Sequence, residues 1–144
     1  MIDWGARSNG YCSDLTRTFA VGKVSTELET IHEVVQRANA AGRQAGRPGG
    51  SAGEVDRDAR RVISDAGYGE YFTHRTGHGL GLEDHETPYI FANNDQVLLP
   101  GMTYTVEPGI YLQGVGGVKI EDHSLVTAGG TESLSDFPRE LMNL

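Results

Sequence analysis

The sequence predicts an α+β domain in which two helices cover one face of an antiparallel sheet. Three observations support this prediction: an Asn-Gly turn between two extended segments at the start, two consecutive amphipathic helical stretches, and strand patterns over most of the remainder. Both helical stretches are polar on the side opposite their apolar stripe, as expected for helices that lie on a sheet. A length of 144 residues, of which 38% are hydrophobic, indicates one domain with a single core, residues 1–144.

The first element is predicted to be a β-hairpin, because Asn9 and Gly10 both accept the positive φ of a tight turn. With these two residues as the loop, Asp3 lies opposite Thr16, and Asp14 is its diagonal neighbour on the same face. A tighter register would place Asp3 directly opposite Asp14, so either register puts both acids on one face. Facing carboxylates repel and need a proton or a cation between them, unless both are solvated on an exposed face.

Two helices are predicted next. Thr26 with Glu29 indicates a capping box, and apolar residues at helical spacing predict a helix over residues 26–45. Ser51 with Glu54 indicates a second capping box, and the helix that follows is expected to close at Gly67. Their apolar stripes are expected to form core.

The last third of the chain is predicted to form strands, and two of them each carry one candidate glutamate. In "GMTYTVEPGIY", Glu107 lies on the face away from the aliphatic side chains. In "GGVKIEDHSLVT", the side chains of Lys119, Glu121 and His123 share a face opposite the aliphatic ones. Taken alone, either glutamate could be a surface acid.

Charge and composition exclude several classes of partner. The chain has 12 Lys and Arg against 20 Asp and Glu, a formal charge of −8, which argues against nucleic acid and anionic membranes. No stretch approaches the roughly 18 apolar residues of a membrane span, and the start lacks a basic and apolar leader, so a cytoplasmic location is expected. The single cysteine, Cys12, excludes an internal disulfide and is expected to have no chemical role.

Four acids and one histidine together indicate a metal site. The candidate ligands are Asp3, Asp14, His78, Glu107 and Glu121. Carboxylates with one imidazole and no thiolate suit divalent ions such as manganese, cobalt, iron or zinc. Four negative charges exceed what one divalent ion neutralises, which favours two ions with a water between them. Such a pair lowers the pKa of the water, so the predicted chemistry is metal-assisted hydrolysis.

The stretch "GHGLGLEDHE" contains a second histidine, His85, which is predicted to reach a reacting carbonyl or its oxyanion. Its glycines, Gly77, Gly79 and Gly81, are expected to adopt backbone conformations closed to other residues and to let substrate or metal approach the main chain. The alternative for His78 taken alone is a hydrogen-bonded structural histidine.

Four segments resemble the signature blocks of the "pita-bread" metallopeptidases, which include methionine aminopeptidases, aminopeptidase P and prolidase. The segments are "DWGARSNGYCSDLTRT", "HRTGHGLGLEDHETPYI", "GMTYTVEPGIYL" and "GVKIEDHSLVT". The resemblance implies the pita-bread fold and two metal ions, with manganese expected first and cobalt, zinc or iron as alternatives. It implies that Asp3 is bidentate on one ion, that Asp14 and Glu121 bridge, and that His78 and Glu107 complete the other ion's shell. It further implies that Glu107 helps to deprotonate the bridging water and that His85 stabilises the tetrahedral intermediate.

Within this family the chain is most similar to the Xaa-Pro branch, whose substrates are peptides with proline at the second position. His74 precedes the ligand His78 by the spacing typical of that branch, which implies contact with the substrate near the scissile carbonyl. Lys119 is also predicted to bind substrate, but it stands where the branch usually has arginine. A lysine cannot make a planar two-pronged contact to a carboxylate, so reduced activity or altered substrate positioning is expected.

The resemblance also concerns the start of the chain, which coincides with the first ligand-bearing strand of the family. The N-terminal half of the pita-bread fold is therefore expected to be missing, which would leave apolar sheet surface exposed and favour a homodimer. Two other functions stay open. A methionine aminopeptidase is disfavoured by His74 and the "EPGIY" block, and a non-catalytic pita-bread binding module is disfavoured because all five ligands are present.

Overall fold

The computed structural model describes residues 1–144, and its elements follow the predicted order. A hairpin comes first, two helices follow, and short strands form most of the remainder. The helices are α1, Thr26–Ala45, and α2, Ala52–Asp65. The strands are β1 Ile2–Ser8, β2 Tyr11–Arg17, β3 Phe19–Ala20, β4 Gly77–Gly79, β5 Glu86–Ile90, β6 Thr103–Val106, β7 Gly109–Leu112, β8 Gly116–Lys119, β9 Asp122–Thr127, β10 Gly130–Ser133 and β11 Met142–Asn143.

The hairpin of β1 and β2 has the register that the Asn-Gly turn predicts. Asn9 and Gly10 have φ values of 51° and 90°, and Asp3 pairs with Thr16. The tighter register, with Asp3 directly opposite Asp14, is therefore wrong. Strand β1 pairs only with β2, and all of its residues are exposed.

The helices have the predicted lengths, but one cap differs. Helix α2 begins with the predicted capping box of Ser51 and Glu54. The capping box predicted for α1 is wrong, because Ser25 is the N-cap and accepts a hydrogen bond from the backbone N–H of Leu28. Thr26 is thus the first helical residue, and leucine occupies the position that a capping box gives to glutamate. No helix is both long enough and apolar enough to cross a membrane.

A five-stranded antiparallel sheet lies beneath the two helices, in the order β10-β9-β6-β4-β5. Ile31 and Val35 of α1 pack with Ile63 of α2 in a cluster that includes Ile110 and Ile120, all fully buried. A second cluster joins α2 to the sheet through Val55, Ile90, Tyr104 and Val106, among others. The predicted arrangement of two helices over an antiparallel sheet is confirmed. Strands β7 and β8 form a separate hairpin, and β3 pairs with β11 in parallel.

Both glutamate-bearing strands are broken where the sequence predicted continuous ones. The first breaks between β6 and β7, and the second between β8 and β9, so Glu107 and Glu121 each fall in a break. Pro108 cannot donate a ladder hydrogen bond at the first break. In addition, the fully buried side-chain amide of Asn39 donates to the carbonyls of Val106 (2.9 Å) and Ile120 (3.4 Å). One side chain of α1 therefore holds the backbone immediately before each glutamate.

Candidate metal centre

The hairpin supplies two acids to the candidate centre. Asp14 lies diagonally across the ladder from Asp3, on the same face. The Asp3 side chain is about half exposed, whereas Asp14 is largely covered. Burial and the neighbouring charge of Asp3 raise the pKa of Asp14 to about 6. The two carboxylates thus repel each other, as the sequence predicted, and a cation between them would relieve that repulsion.

His78 lies in the middle of β4, with its imidazole buried and its orientation fixed. Its Nδ1 is 3.1 Å from the carbonyl oxygen of Gly79, which can only accept, so Nδ1 carries the hydrogen. Burial lowers the pKa of His78, which favours the neutral ring. Its Nε2 therefore presents a lone pair, 3.6 Å from Oδ2 of Asp14 and 3.4 Å from Oε1 of Glu107. This is the arrangement of a metal-ligating histidine whose other nitrogen is held by a carbonyl.

The glycines beside His78 have a different role from the one expected. None of Gly77, Gly79 and Gly81 has a positive φ. A side chain on Gly77 would collide with the backbone of Thr105, and one on Gly79 with the backbone of Thr87. The first two glycines therefore allow neighbouring strands to approach β4 closely, and this packing fixes the depth of His78.

Glu121 is the most deeply buried acid of the centre, with 1% of its surface exposed. Its Oε2 accepts a 2.6 Å hydrogen bond from the Thr16 hydroxyl, while its Oε1 is buried without a partner. Burial, followed by the charge of Glu107, raises the pKa of Glu121 to about 8. A buried carboxylate oxygen without a donor is costly unless a cation or a proton satisfies it.

Lys119 lies among the acids. Its Nζ is 2.7 Å from Oδ2 of Asp3, 3.2 Å from Oε2 of Glu107 and 3.2 Å from Oε2 of Glu121. Burial would raise the pKa of Asp3, but the hydrogen bond and charge of Lys119 outweigh it, so that pKa is lowered. Burial likewise opposes the charge of Lys119, yet the charges of Glu121, Glu107 and Asp3 raise its pKa. The ammonium group is therefore ionised and contacts three of the four predicted carboxylate ligands.

The five predicted ligands converge, though not equally. Ligand atoms of Asp14, His78 and Glu121 all lie within 4.8 Å of one another. Glu107 joins them through its contact with His78, and Asp3 through its contact with Lys119. Carboxylate oxygens and one imidazole nitrogen suit a hard to borderline divalent ion, and the partnerless Oε1 of Glu121 gives such an ion a reason to bind. The residues present therefore fit a divalent metal.

A cavity of about 440 Å³ lies beside the acids, lined by His74, Arg75, His85, Glu107, Tyr111 and Lys119. Nε2 of His74 is 2.8 Å from the Tyr111 hydroxyl, which holds the imidazole at the cavity wall. The His85 ring is about half exposed and lies 3.8 Å from the His78 ring, centroid to centroid. All three predicted non-ligand residues, His74, His85 and Lys119, thus line one cavity.

Two residues near the centre, Arg17 and Tyr111, were not predicted from the sequence. Arg17 is buried, and its guanidinium donates to Asp122 and to four carbonyls, among them those of Thr16 and Glu121. Arg17 gave no local signal, because the alternation of β2 places it on the same face as the exposed Tyr11 and Ser13. Tyr111 gave no local signal either, since its contact with His74 depends on the break after β6.

The sequence profile of metallopeptidase family M24 matches residues 1–128 of the chain. The chain belongs to this family. The Xaa-Pro dipeptidase of Lactobacillus delbrueckii subsp. lactis is 45% identical over 141 residues, which are 98% of this chain and 38% of that protein. The structure of a dipeptidase from Pyrococcus horikoshii OT3 is 53% identical and superposes with a TM-score of 0.97, over 99% of this chain and 40% of that one. A Xaa-Pro dipeptidase from Bacillus anthracis is 49% identical, with a TM-score of 0.96 over 99% and 40%.

These similarities confirm the resemblance to the pita-bread metallopeptidases and the α+β fold. This chain spans 38% to 40% of the length of these three relatives. Membership of a metallopeptidase family also implies divalent metal ions, in agreement with the donor set.

Proposed function

We propose that this chain carries the catalytic metal centre of a Xaa-Pro peptidase, which hydrolyses the bond between an N-terminal residue and proline. One observation carries the proposal: the buried, partnerless Oε1 of Glu121 lies in one cluster with ligand atoms of Asp14 and His78. The Xaa-Pro dipeptidases among the M24 relatives support the substrate class. Because the chain spans 38% of the length of one such relative, the activity proposed is that of the whole enzyme, and residues 1–144 are part of its catalytic domain.

The proposed site would hold two divalent ions, with manganese the expected metal, and the residues that would bind them are Asp3, Asp14, His78, Glu107 and Glu121. Bound ions of this kind lower the pKa of a water molecule and polarise a carbonyl oxygen. Glu107 borders both the ligand cluster and the substrate cavity, since Oε1 faces His78 and Oε2 faces Lys119. From this position its carboxylate is proposed to accept the proton of the attacking water. His85, exposed above His78, is proposed to donate a hydrogen bond to the oxyanion that forms on the substrate carbonyl.

The proposed substrate site is the cavity beside the acids. His74 is held there by Tyr111, and we propose that its imidazole contacts the peptide near the scissile carbonyl. A proline nitrogen in a peptide bond carries no hydrogen, so a hydrolase that requires a hydrogen bond from that position cannot use such a substrate. Lys119 lines the same cavity, and its contact with the substrate stays a prediction, as does the cytoplasmic location.

The test has two parts. Protein purified without chelator is analysed for metal content, and the hydrolysis of Ala-Pro and Met-Ala is then compared with and without added Mn²⁺. Bound metal with a preference for Ala-Pro supports the proposal, whereas a preference for Met-Ala would identify a methionine aminopeptidase. Protein that binds no divalent ion under any condition would instead be a non-catalytic binding module.

A further inference from the structure

We propose that a cavity between the end of α1 and the hairpin of β9 and β10 binds a phosphate group, carried by inorganic phosphate or by the phosphate monoester of a small molecule. The cavity has a volume of about 360 Å³, and small-molecule sites usually measure about 300–1,000 Å³. Its lining includes Arg43, Arg47, Ser124, Gly130, Thr131 and Ser133. The proposal is independent of the metal-dependent function, because the two sites lie on opposite faces of the sheet.

The cavity lies on the helix-covered face of the five-stranded sheet. Ser124 pairs with Tyr104 across β9 and β6, and Tyr104 packs in the cluster that joins α2 to the sheet. Thr105, the next residue of β6, faces the other side, where its hydroxyl donates to Oε1 of Glu107 in the metal centre. A ligand in the cavity therefore does not share side chains with the metal centre.

Three arginine side chains surround one buried acid beside the cavity. Nη2 of Arg17 is 2.7 Å from Oδ1 of Asp122, and Nε of Arg139 is 2.7 Å from Oδ2. Nε of Arg43 is 3.7 Å from the same Oδ2. Three positive charges against one negative charge leave an excess of +2. This excess matches the charge of a phosphate monoester, which is about −2 above pH 7.

Arg43 is the arginine of this group that lines the cavity. Its Nε donates to Oδ1 of Asn39 at 2.8 Å, and its two amino groups donate to no protein acceptor. Its side chain is 25% exposed. Burial, followed by the charge of Arg139, lowers the pKa of Arg43. A phosphate against the free edge of this guanidinium would accept two parallel hydrogen bonds and offset the repulsion from Arg139.

The wall of the cavity is held in place without a ligand. The hydroxyl of Thr131 on β10 donates to the carbonyl of Arg43 at 2.6 Å, which joins β10 to the last turn of α1. Arg139 donates to the Ser133 hydroxyl, which in turn donates to the carbonyl of Ser135. A ligand would therefore meet an arranged site, which lowers the entropy cost of binding.

Ser124 provides a second indication of a ligand. Its side chain lines the cavity and is 1% exposed, and its hydroxyl has no hydrogen-bond partner. The hydroxyl of Tyr104 is likewise buried without a partner, next to Gly46 in the cavity lining. Buried hydroxyls without partners cost free energy, and phosphate oxygens accept from such donors. Glu132, the acid in the lining, is exposed, so solvent screens its charge.

Amide chemical shifts of the unaltered protein test the location. Metal is first removed with a chelator, which is then dialysed away, so that phosphate cannot bind to metal ions. During titration with inorganic phosphate at pH 7.5, we expect saturable shifts at Gly129, Gly130 and Thr131 and none at Gly77, beside the metal centre. Sodium chloride at equal ionic strength should give no saturable shift. Shifts confined to Gly77, or no saturable shift up to about 50 mM phosphate, would overturn the proposal.

The same titration with glycerol 3-phosphate distinguishes the two sources of the phosphate group. Tighter binding of the ester would identify a phosphorylated small molecule as the ligand. Tighter binding of inorganic phosphate would identify the free ion. Either result supports the phosphate site, provided that the amides of Gly129, Gly130 and Thr131 respond.

Calorimetric titration of variants with phosphate provides the second measurement. Arg43→Met removes the guanidinium with free donors, and Arg75→Met makes the same change in the cavity beside the acids. We expect phosphate to bind about tenfold or more weakly to R43M and with unchanged affinity to R75M. Unchanged affinity in R43M, or a loss in R75M instead, would overturn the proposal and leave the metal-dependent function intact. If R43M does not fold, the amide shifts decide.

Discussion

The hydroxyl of Thr16 donates a 2.6 Å hydrogen bond to Oε2 of Glu121, and both side chains are buried. The backbone N–H of Glu121 also donates to the Thr16 carbonyl, so two hydrogen bonds join the end of β2 to the second strand break. Thr16 lies opposite Asp3 in the hairpin register. Thr16 therefore links the hairpin, which carries Asp3 and Asp14, to Glu121.

Replacing Thr16 by valine is expected to reduce metal affinity. The substitution keeps the shape of the side chain and removes the hydroxyl that orients Glu121, and loss of such a supporting hydrogen bond typically costs about 10-fold to 100-fold in metal affinity. Calorimetric titration with Mn²⁺ measures the effect. Thr30→Val serves as the control, because the Thr30 hydroxyl donates within the exposed part of α1. Equal Mn²⁺ affinity in T16V and T30V would contradict this role of Thr16.

Replacing Arg17 by methionine is expected to destabilise the fold strongly. Arg17 is 1% exposed, and its guanidinium bonds to Asp122 and to the carbonyls of Thr16, Glu121, Phe137 and Pro138. Its loss leaves the buried acceptors among them, Asp122 and the carbonyls of Thr16 and Glu121, short of donors, which should lower the free energy of unfolding by about 3 kcal/mol or more. Urea denaturation measures the change. Arg61→Met, which removes an exposed ion pair with Asp58, should cost at most about 1 kcal/mol. Similar losses in R17M and R61M would be inconsistent with the buried network.

The stability of the metal-free protein is expected to fall as the pH rises from 6.5 to about 8. The pKa of Glu121 is raised from 4.5 to about 8, so the folded state keeps a proton that the unfolded state has lost. The folded state thus binds more protons, and the free energy of unfolding decreases with pH in this window. Burial lowers the pKa of His123 from 6.5 to about 4, so its effect has the opposite sign and lies below pH 6.5. The raised pKa of Asp14, about 6, also lies below this window.

Urea denaturation in the presence of EDTA at pH 6.5, 7.25 and 8 tests this dependence. Glu121→Gln has no titrating carboxyl group, so its stability is expected to stay nearly constant over the same range. A pH dependence in E121Q as steep as in the unaltered protein would assign the effect to another group.

The chain is expected to form a homodimer through β1. This strand pairs on one edge only, and the apolar side chains of Met1, Ile2 and Trp4 are 56%, 51% and 40% exposed. A free strand edge beside exposed apolar surface favours pairing with another chain. Light scattering over a dilution series measures the state of assembly, and Ile2→Lys, with a charge on that strand, should shift the equilibrium towards monomer. A chain that is monomeric at all concentrations would exclude this interface.

The parts of the structure that depend on local sequence were predicted well. The Asn9-Gly10 turn fixes the hairpin register, and the two-residue alternation of strand side chains places Asp3 and Asp14 on one face. Apolar spacing defined both helices, and only the cap at Ser25 was misplaced by one residue. The resemblance, rather than the spacing, supplied the order of the five ligands.

The remainder depends on contacts between residues far apart in sequence. The strand breaks that contain Glu107 and Glu121 involve the amide of Asn39, which no local pattern connects to either strand. The glycines around His78 were assigned to unusual backbone angles, whereas their role is to let Thr105 and Thr87 approach. The engagement of Lys119 with three acids was not anticipated either, since it requires the hairpin and both breaks to meet.

Asn39 also constrains the relative position of Glu107 and Glu121. A single amide nitrogen holds the backbone ahead of both glutamates, and Val106 and Asp122 beside them pair in the ladder of β6 and β9, so α1 and the sheet together set the separation of the two acids. Two hydrogen bonds between Thr16 and Glu121 tie the hairpin to the same backbone frame. The backbone that carries the acids is thus braced before a cation arrives, so cation binding does not include the entropy cost of ordering that backbone.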